Sequence, residues 1–292
     1  MIITELNGGL GNQLFQYAFG LAVAKQYGTD LKFDIQALQG SDSRPFALDK
    51  FNIAHEIASP KDIRRILAMD VGILRWIAGR VSPRALRRYS NRYIDETKIS
   101  FINNELFHIS NDAYLKGYWQ NERFFRSAAK EVKSSVILKT PLSDKSQKVA
   151  NQINTANSVG IHIRRGDYVS NPTANSHHGI CSLDYYSEAI QRILIYFPSA
   201  KFFVFSDDIP WCMENLNFNS DAIYVNHNGT QRSHEDFALL SMCKHHIIAN
   251  SSFSWWAAWL NDAQGKTIAP QNWYRSSHRK TQDIIPPRWT VL

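Results

Sequence analysis

Cysteine is scarce: Cys181, Cys212 and Cys243 are the only three in 292 residues. An odd, scattered set with no Cys-x-x-Cys indicates neither a disulfide framework nor a cysteine zinc site, and it fits a reducing compartment. His-Glu-x-x-His is also absent, although there are ten histidines. The N-terminus runs straight into Ile2-Ile3-Thr4-Glu5-Leu6, without the basic and apolar segments of a secretory signal. No apolar run is long enough to span a membrane. The best candidate, 247–260, is interrupted by Asn250, Ser251, Ser252 and Ser254. Internal repeats and low-complexity tracts are missing too. The expectation is a soluble, cytoplasmic protein with one large or two ordinary domains.

What is present is an ordinary globular composition, 44% hydrophobic and 20% charged, with eight tryptophans. An aromatic surplus serves either a large core or a carbohydrate-lining surface. The net charge of +7 favours an anionic partner: nucleic acid, an anionic membrane surface or a phosphorylated small molecule. Arg64, Arg65, Arg75, Arg80, Arg84, Arg87 and Arg88 crowd one stretch, interleaved with Ile66, Leu67, Ile73, Leu74, Trp76 and Ile77. That pattern reads as basic amphipathic helix, either a solvated face over a core or a peripheral membrane contact.

The chain opens as a βαβ unit. A strand at 2–6 leads through Asn7-Gly8-Gly9-Leu10-Gly11-Asn12-Gln13 into a helix with Leu14, Ala18, Leu21, Ala22 and Lys25 at helical spacing, and 31–34 is the next strand. Residues 59–90 read as helix, 113–120 as a strand and 122–139 as helix. The polar segment 140–158 reads as the boundary between an N-terminal domain, 1–145, and a C-terminal domain, 155–292. Beyond it, strands at 159–164, 201–205, 222–225, 246–249 and 267–269 alternate with helices at 183–197, 210–216, 233–243 and 253–260. This alternation predicts a doubly wound parallel sheet.

His162-Ile163-Arg164-Arg165-Gly166-Asp167-Tyr168 follows the apolar strand 159–163. It delivers two guanidinium groups and a carboxylate to the strand's C-terminal edge, where open α/β sheets bind ligands. The planar fork of arginine suits phosphate, so the pair reads as a diphosphate site or as a surface ion-pair cluster. The first glycine turn resembles a dinucleotide fingerprint, with Asp34 where a ribose acid would sit, but Leu14 occupies the third glycine position. The turn reads better as backbone N–H groups, with the Asn12 amide, approaching an anion or sugar. Ser206-Asp207-Asp208 and Asn250-Ser251-Ser252 follow later strands; the aspartates read as helix caps, and the serines as helix caps or phosphate contacts. Asp-x-Asp, the carboxylate spacing used to hold a diphosphate through a metal, does not occur, so metal-independent chemistry without a cofactor is expected. His245 and His246 flank a strand and read as structural, and His177-His178 lies in a loop beyond the arginines.

The HIRRGDY run at 162–168 resembles the signature of the α-1,2-fucosyltransferases, glycosyltransferase family 11, which α-1,6- and protein O-fucosyltransferases share in looser form. GGLGNQLFQYAFG at 8–20, GYWQ at 117–120, FSDD at 205–208 and NSSFSWW at 250–256 resemble further blocks of that family, in its order and along the whole chain. The resemblance implies a GT-B fold, two Rossmann-like domains facing a central cleft. It also implies GDP-β-L-fucose as donor, inversion at the anomeric carbon and a galactose-terminated glycan acceptor. By the same resemblance Arg164 holds the donor's β-phosphate, with Arg165 beside it, and His162 and Asp236 read guanine. Ser251 and Ser252 bind phosphate, and Gly11 and Asn12 approach the reaction centre. Candidates for a base at the acceptor hydroxyl are Asp167, then His178, then Asp184. The resemblance further implies a bacterial enzyme of surface polysaccharide or O-antigen assembly, with an acceptor carried on a lipid diphosphate as one candidate. The alternatives are a fucosyltransferase of another linkage, a non-catalytic glycan-binding protein, and a nucleic-acid-binding protein, for which no binding module is present.

Overall fold

The computed structural model describes residues 1–40, 44–69, 92–98, 109–166, 179–218, 222–261, 265–274 and 283–292. The chain divides into two compact units, Met1–Ile137 and Leu138–Leu292. Each is an α/β unit on its own sheet, and every strand pairing in both sheets is parallel.

In the first unit β1 (Ile2–Glu5), α1 (Leu10–Tyr27) and β2 (Leu31–Asp34) form the expected βαβ unit, and β3 (Tyr93–Asp95) and β4 (Ala113–Lys116) complete a sheet of order β2-β1-β4-β3. α1 is buried over most of its length, with Leu14, Phe15, Tyr17, Ala18, Phe19 and Ala22 in the core. The close helix–strand approach that a third fingerprint glycine would allow occurs at Gly20 instead. A Cβ there would stand 2.8 Å from Leu31 Cδ1 and 2.9 Å from Thr4 Oγ1. α2 (Pro60–Met69) sets Ile66 against Ile3, Ala58 and Tyr114; residues 70–91, which hold the rest of the basic stretch, lie outside the described residues.

Three readings change. The strand expected over 113–120 ends at Lys116, because Gly117 (φ 156°) and Trp119 (φ 55°) turn the chain. The helix expected over 122–139 breaks into two 3-10 turns, Glu122–Phe124 and Arg126–Ala128, before α3 (Ala129–Ser135). Asn121 accepts from Arg123 N at 2.9 Å and closes the first of these turns. The polar 140–158 segment is mostly helix α4 (Asp144–Thr155), capped by Ser143 and part of the second unit. Its polar residues form the outer face, while Ser146, Ala150 and Ile153 point inward.

The second unit runs β5 (Asn157–Ile163), α5 (Leu183–Tyr196), β6 (Ala200–Ser206), α6 (Ile209–Asn215), β7 (Ala222–Val225), α7 (Ser233–Met242), β8 (His245–Ile247), α8 (Ser252–Leu260), β9 (Thr267–Ala269) and β10 (Thr290–Val291). The sheet order is β10-β9-β8-β5-β6-β7. That is the doubly wound order, and it reverses between β5 and β8, the position where such sheets bind ligands. Val159, Ile161, Phe202 and Val204 pack with Tyr186, Ile190 and Ile193 of α5 in the core. Trp119, Trp255, Trp256, Trp259, Trp273 and Trp289 are all buried, so most of the tryptophan surplus fills cores. His246 is buried on the Leu240 carbonyl, 2.9 Å away, and burial pushes its imidazole down to about 4.

Candidate functional site

β5 is a central strand, and the chain leaving its C-terminal end carries the two arginines. Register pairs Ile163 with Ser206, so Arg164 and Arg165 emerge beside Asp207 and Asp208. Arg164 Nη1 lies 2.8 Å from Asp207 Oδ2, and the other oxygen of Asp207 accepts from Arg165 N at 2.9 Å. Gly166 gives this carboxylate its space, since a Cβ at 166 would stand 2.6 Å from Asp207 Oδ2. Arg165 is engaged differently. Its Nε donates to Asp208 Oδ2 at 3.1 Å, and its guanidinium stacks 3.9 Å from the Trp211 ring centroid. Asp208 also caps α6 by accepting from Trp211 N. Each arginine therefore has its own aspartate, and these four side chains carry no net charge. An anion brought here would meet the directional N–H groups of Arg164 rather than a bulk positive potential.

His162 precedes the arginines, buried, with burial the largest cause holding its imidazole at about 4 and Arg164 adding to it against the opposing pull of Asp207. Its Nδ1 is buried without a partner among the described residues, a group that asks for a ligand. Its ring lies 5.4 Å from Phe253, which lies 5.4 Å from Phe237. This aromatic ladder joins β5, α8 and α7, in whose first turn Glu235 and Asp236 sit side by side with opposite fates. Burial disfavours the Glu235 charge, but hydrogen bonds from Ser146, Ser143 and Arg232 outweigh it and hold the carboxyl at about 2. Asp236 is raised to about 6, by burial first and by Glu235, against one hydrogen bond from Asn228 Nδ2 at 2.7 Å. Its second oxygen accepts from none of the described residues.

β8 leads into Asn250, whose amide donates to the Gly179 and Trp273 carbonyls at 3.3 Å and pins the loop. Ser251 takes the N-cap position of α8 but its side chain makes no capping bond. The Ser251 and Ser252 hydroxyls and the first N–H groups of an acid-free helix turn thus stand next to β5, an arrangement suited to phosphate.

In the first unit the glycine turn after β1 is fastened by amides. Gln13 donates to the Gly8 and Pro45 carbonyls and accepts from Ala47 N. Gln16 accepts from Asn7 N and donates to the Gly117 carbonyl after β4. Gly11 is buried at the start of α1 and Asn12 is half-buried beside it. Asp34, the alternative ribose acid, is buried and bonded to Tyr114 Oη (2.8 Å) and Gln36 N, which gives it a structural occupation.

His162, Arg164, Arg165, Ser251, Ser252 and Asp236 thus share the C-terminal edge of the second sheet, and Gly11 and Asn12 lie at the corresponding edge of the first. Asp167 and His178 lie outside the described residues. Asp184 is exposed in the first turn of α5, where it complements the helix dipole. Sequence reasoning read Asp207 as a capping residue; the paired order Arg-Arg and Asp-Asp after neighbouring strands is the signal for its ion pair. Among the described residues no group of three or more His, Cys, Asp or Glu side chains is placed to hold a metal ion.

The sequence profile of glycosyl transferase family 11 matches residues 1–292. An α-1,2-colitosyltransferase of Escherichia coli is 36% identical over 297 aligned residues, covering 100% of this chain and 99% of that protein. Galactoside α-(1,2)-fucosyltransferase 1 of Leontocebus fuscicollis is 26% identical, covering 90% of this chain and 65% of its own length. The crystal structure of the fucosyltransferase NodZ from Bradyrhizobium superposes with a TM-score of 0.54 at 16% identity, over 88% of this chain and 91% of that one. The two parallel-sheet units and this likeness establish the GT-B class of fold. With a profile match from first residue to last, and the arginine motif and serine-led helix at adjoining strand ends, the chain belongs to glycosyl transferase family 11.

Proposed function

We propose that the chain transfers L-fucose from GDP-β-L-fucose to the 2-hydroxyl of a terminal galactose, with inversion at the anomeric carbon and without a metal. The observation that carries this reading is the edge formed by β8, β5 and β6. It combines a half-buried Arg164, an unpartnered His162 nitrogen, an acceptor-rich Asp236 and uncommitted serine hydroxyls. In this assignment guanine meets His162 and Asp236, and the diphosphate meets Arg164, Ser251, Ser252 and the start of α8. The fucosyl–oxygen bond breaks as the galactose oxygen attacks, and the leaving phosphate gains charge that Arg164 stabilises as it grows. Arg165, held by Asp208 and Trp211, braces the same turn. Asn12 belongs to the acceptor side, with Asp167 as first choice and His178 as second for the base that takes the hydroxyl proton.

A second donor has a specific observation in its favour, the 36% identity to an α-1,2-colitosyltransferase. Colitose is fucose without its 3-hydroxyl, so the same pocket chemistry serves either sugar. Turnover of the purified protein with GDP-fucose and GDP-colitose, β-galactoside acceptors and EDTA tests these points together. An α-1,2 product from GDP-fucose supports the proposal, and transfer from GDP-colitose alone moves the donor. Failure to bind or turn over either nucleotide sugar overturns the assignment. An acceptor on a lipid diphosphate, of O-antigen type, would give the basic 64–88 stretch an anionic membrane surface to meet. Of that stretch, Arg64 Nε donates to the Pro60 carbonyl and Arg65 lies 3.6 Å from Asp112, and both belong to the described residues. Co-sedimentation with phosphatidylglycerol vesicles that is no greater than with neutral vesicles would remove that part of the reading. Among the described residues no helix is long and apolar enough to cross a membrane.

A further inference from the structure

We propose that Gln120 is a positioning residue that fixes which end of the Asn12 carboxamide meets the substrates; the inference rests on the fucosyl-transfer reading above. Gln120 Nε2 donates to Asn12 Oδ1 at 2.9 Å. A carboxamide is nearly symmetric in shape but opposite in hydrogen-bond sense at its two ends. Tying down the oxygen leaves Nδ2 as the end open to a ligand, and Nδ2 donates to none of the described residues. A flipped Asn12 would present an acceptor where two donors now stand.

The backbones that carry both partners of this bond are held from outside. Asn12 Nδ2 lies against Gly8, where an added Cβ would stand 2.5 Å from it, and Gly8 adopts φ 73°, which favours glycine. Gln120 follows Trp119, a fully buried residue with φ 55°, a conformation that persists only where the surroundings over-determine it. Those surroundings are explicit. Gln16 Nε2 donates to the Gly117 carbonyl at 3.1 Å, Glu96 Oε2 accepts from Tyr118 N at 2.7 Å, and Asn121 N donates to the Trp119 carbonyl at 2.8 Å. β1 and β4 are adjacent parallel strands, so the two loops that follow them meet at one edge. Helix α1 supplies both Asn12 and Gln16, the residue that braces the Gln120 loop. The arrangement sets the orientation of one amide before any substrate arrives.

The test is a double-mutant cycle with kcat, acceptor KM and GDP affinity measured on the full chain. Gln120→Met keeps the shape and removes the donor, and Gln120→Ala is the second variant should Met disturb packing. Each is expected to lower kcat about tenfold, the equivalent of one hydrogen bond, with acceptor KM and GDP affinity within about twofold of wild type. Gln120→Glu should fall further, because a carboxylate only accepts and draws Nδ2 toward itself. In an Asn12→Ala background the Gln120 substitutions should have no further effect. Additive losses, or a raised acceptor KM with kcat intact, would overturn positioning and make Gln120 a direct acceptor contact. Full kcat in Asn12→Ala alone would overturn the inference while wild-type turnover still upheld the transfer reaction. Absence of turnover in wild type would remove both.

Discussion

Lowering the pH from 7 to 5 is expected to weaken binding of GDP-fucose about tenfold, and Asp236 sets the size of the effect. Its carboxyl is raised to about 6, so the ionised fraction falls from about ten parts in eleven at pH 7 to about one in eleven at pH 5. If the ionised form accepts the guanine N–H donors, the sign is fixed: affinity is full above the raised value and lost below it. The loss amounts to about 1.4 kcal/mol per pH unit once the group is mostly protonated. Binding near pH 6 should then release protons, which calorimetry in buffers of different ionisation enthalpy reads directly. The sugar nucleotide is the proper probe, because the terminal phosphate of free GDP itself titrates near 6 while the diester phosphates of GDP-fucose do not. Neither His162 nor Glu235 confounds the window, being held at about 4 and about 2. Asp236→Asn should bind more weakly than wild type at pH 7 and lose the slope between pH 5 and 8. A flat wild-type profile, or a slope that survives in Asp236→Asn, would refute the reasoning and assign the guanine edge elsewhere.

Arg164→Ala should lower kcat/KM by about 100- to 1,000-fold in the transfer assay, the range for removing one oxyanion-stabilising donor, and Arg164→Lys should not restore it, since a point charge lacks the fork. Asp207→Asn should lower kcat about tenfold while thermal unfolding moves little, because the pair is partly exposed and its value lies in aiming Arg164; wild-type kcat in this variant would remove that role. Ser251→Ala and Ser252→Ala should each weaken GDP binding about two- to tenfold by calorimetry, and the pair together more. Gly20→Val should cost about 1–3 kcal/mol in denaturant unfolding, because its side chain would meet Thr4 of β1 and Leu31 of β2.

The alternating apolar strands of the second unit were legible because β5 and β6 are buried on both faces, so their runs Val159-Gly160-Ile161 and Phe202-Phe203-Val204-Phe205 stand out against polar surroundings. α4 was not, because only Ser146, Ala150 and Ile153 of its twelve residues face inward and the rest resemble a linker. A similar limit runs through the site. Residue types at strand ends are local and readable, so Arg164 and Ser251 could be named from the chain, whereas Asp236 entered only through the family resemblance. What each one does depends on neighbours far away in sequence. Asp207 meets Arg164 only through the β5–β6 register, and Gln120 meets Asn12 across 108 residues through the pairing of β1 with β4. Glu235 and Asp236 are adjacent acids on one helix turn, indistinguishable in the sequence. Ser143, 92 residues earlier, bonds one of them and not the other. That contact commits Glu235 to the structure, while burial raises Asp236 to about 6. The pH experiment on Asp236 therefore probes a property created by the fold, which no reading of the four residues Ser-His-Glu-Asp could supply.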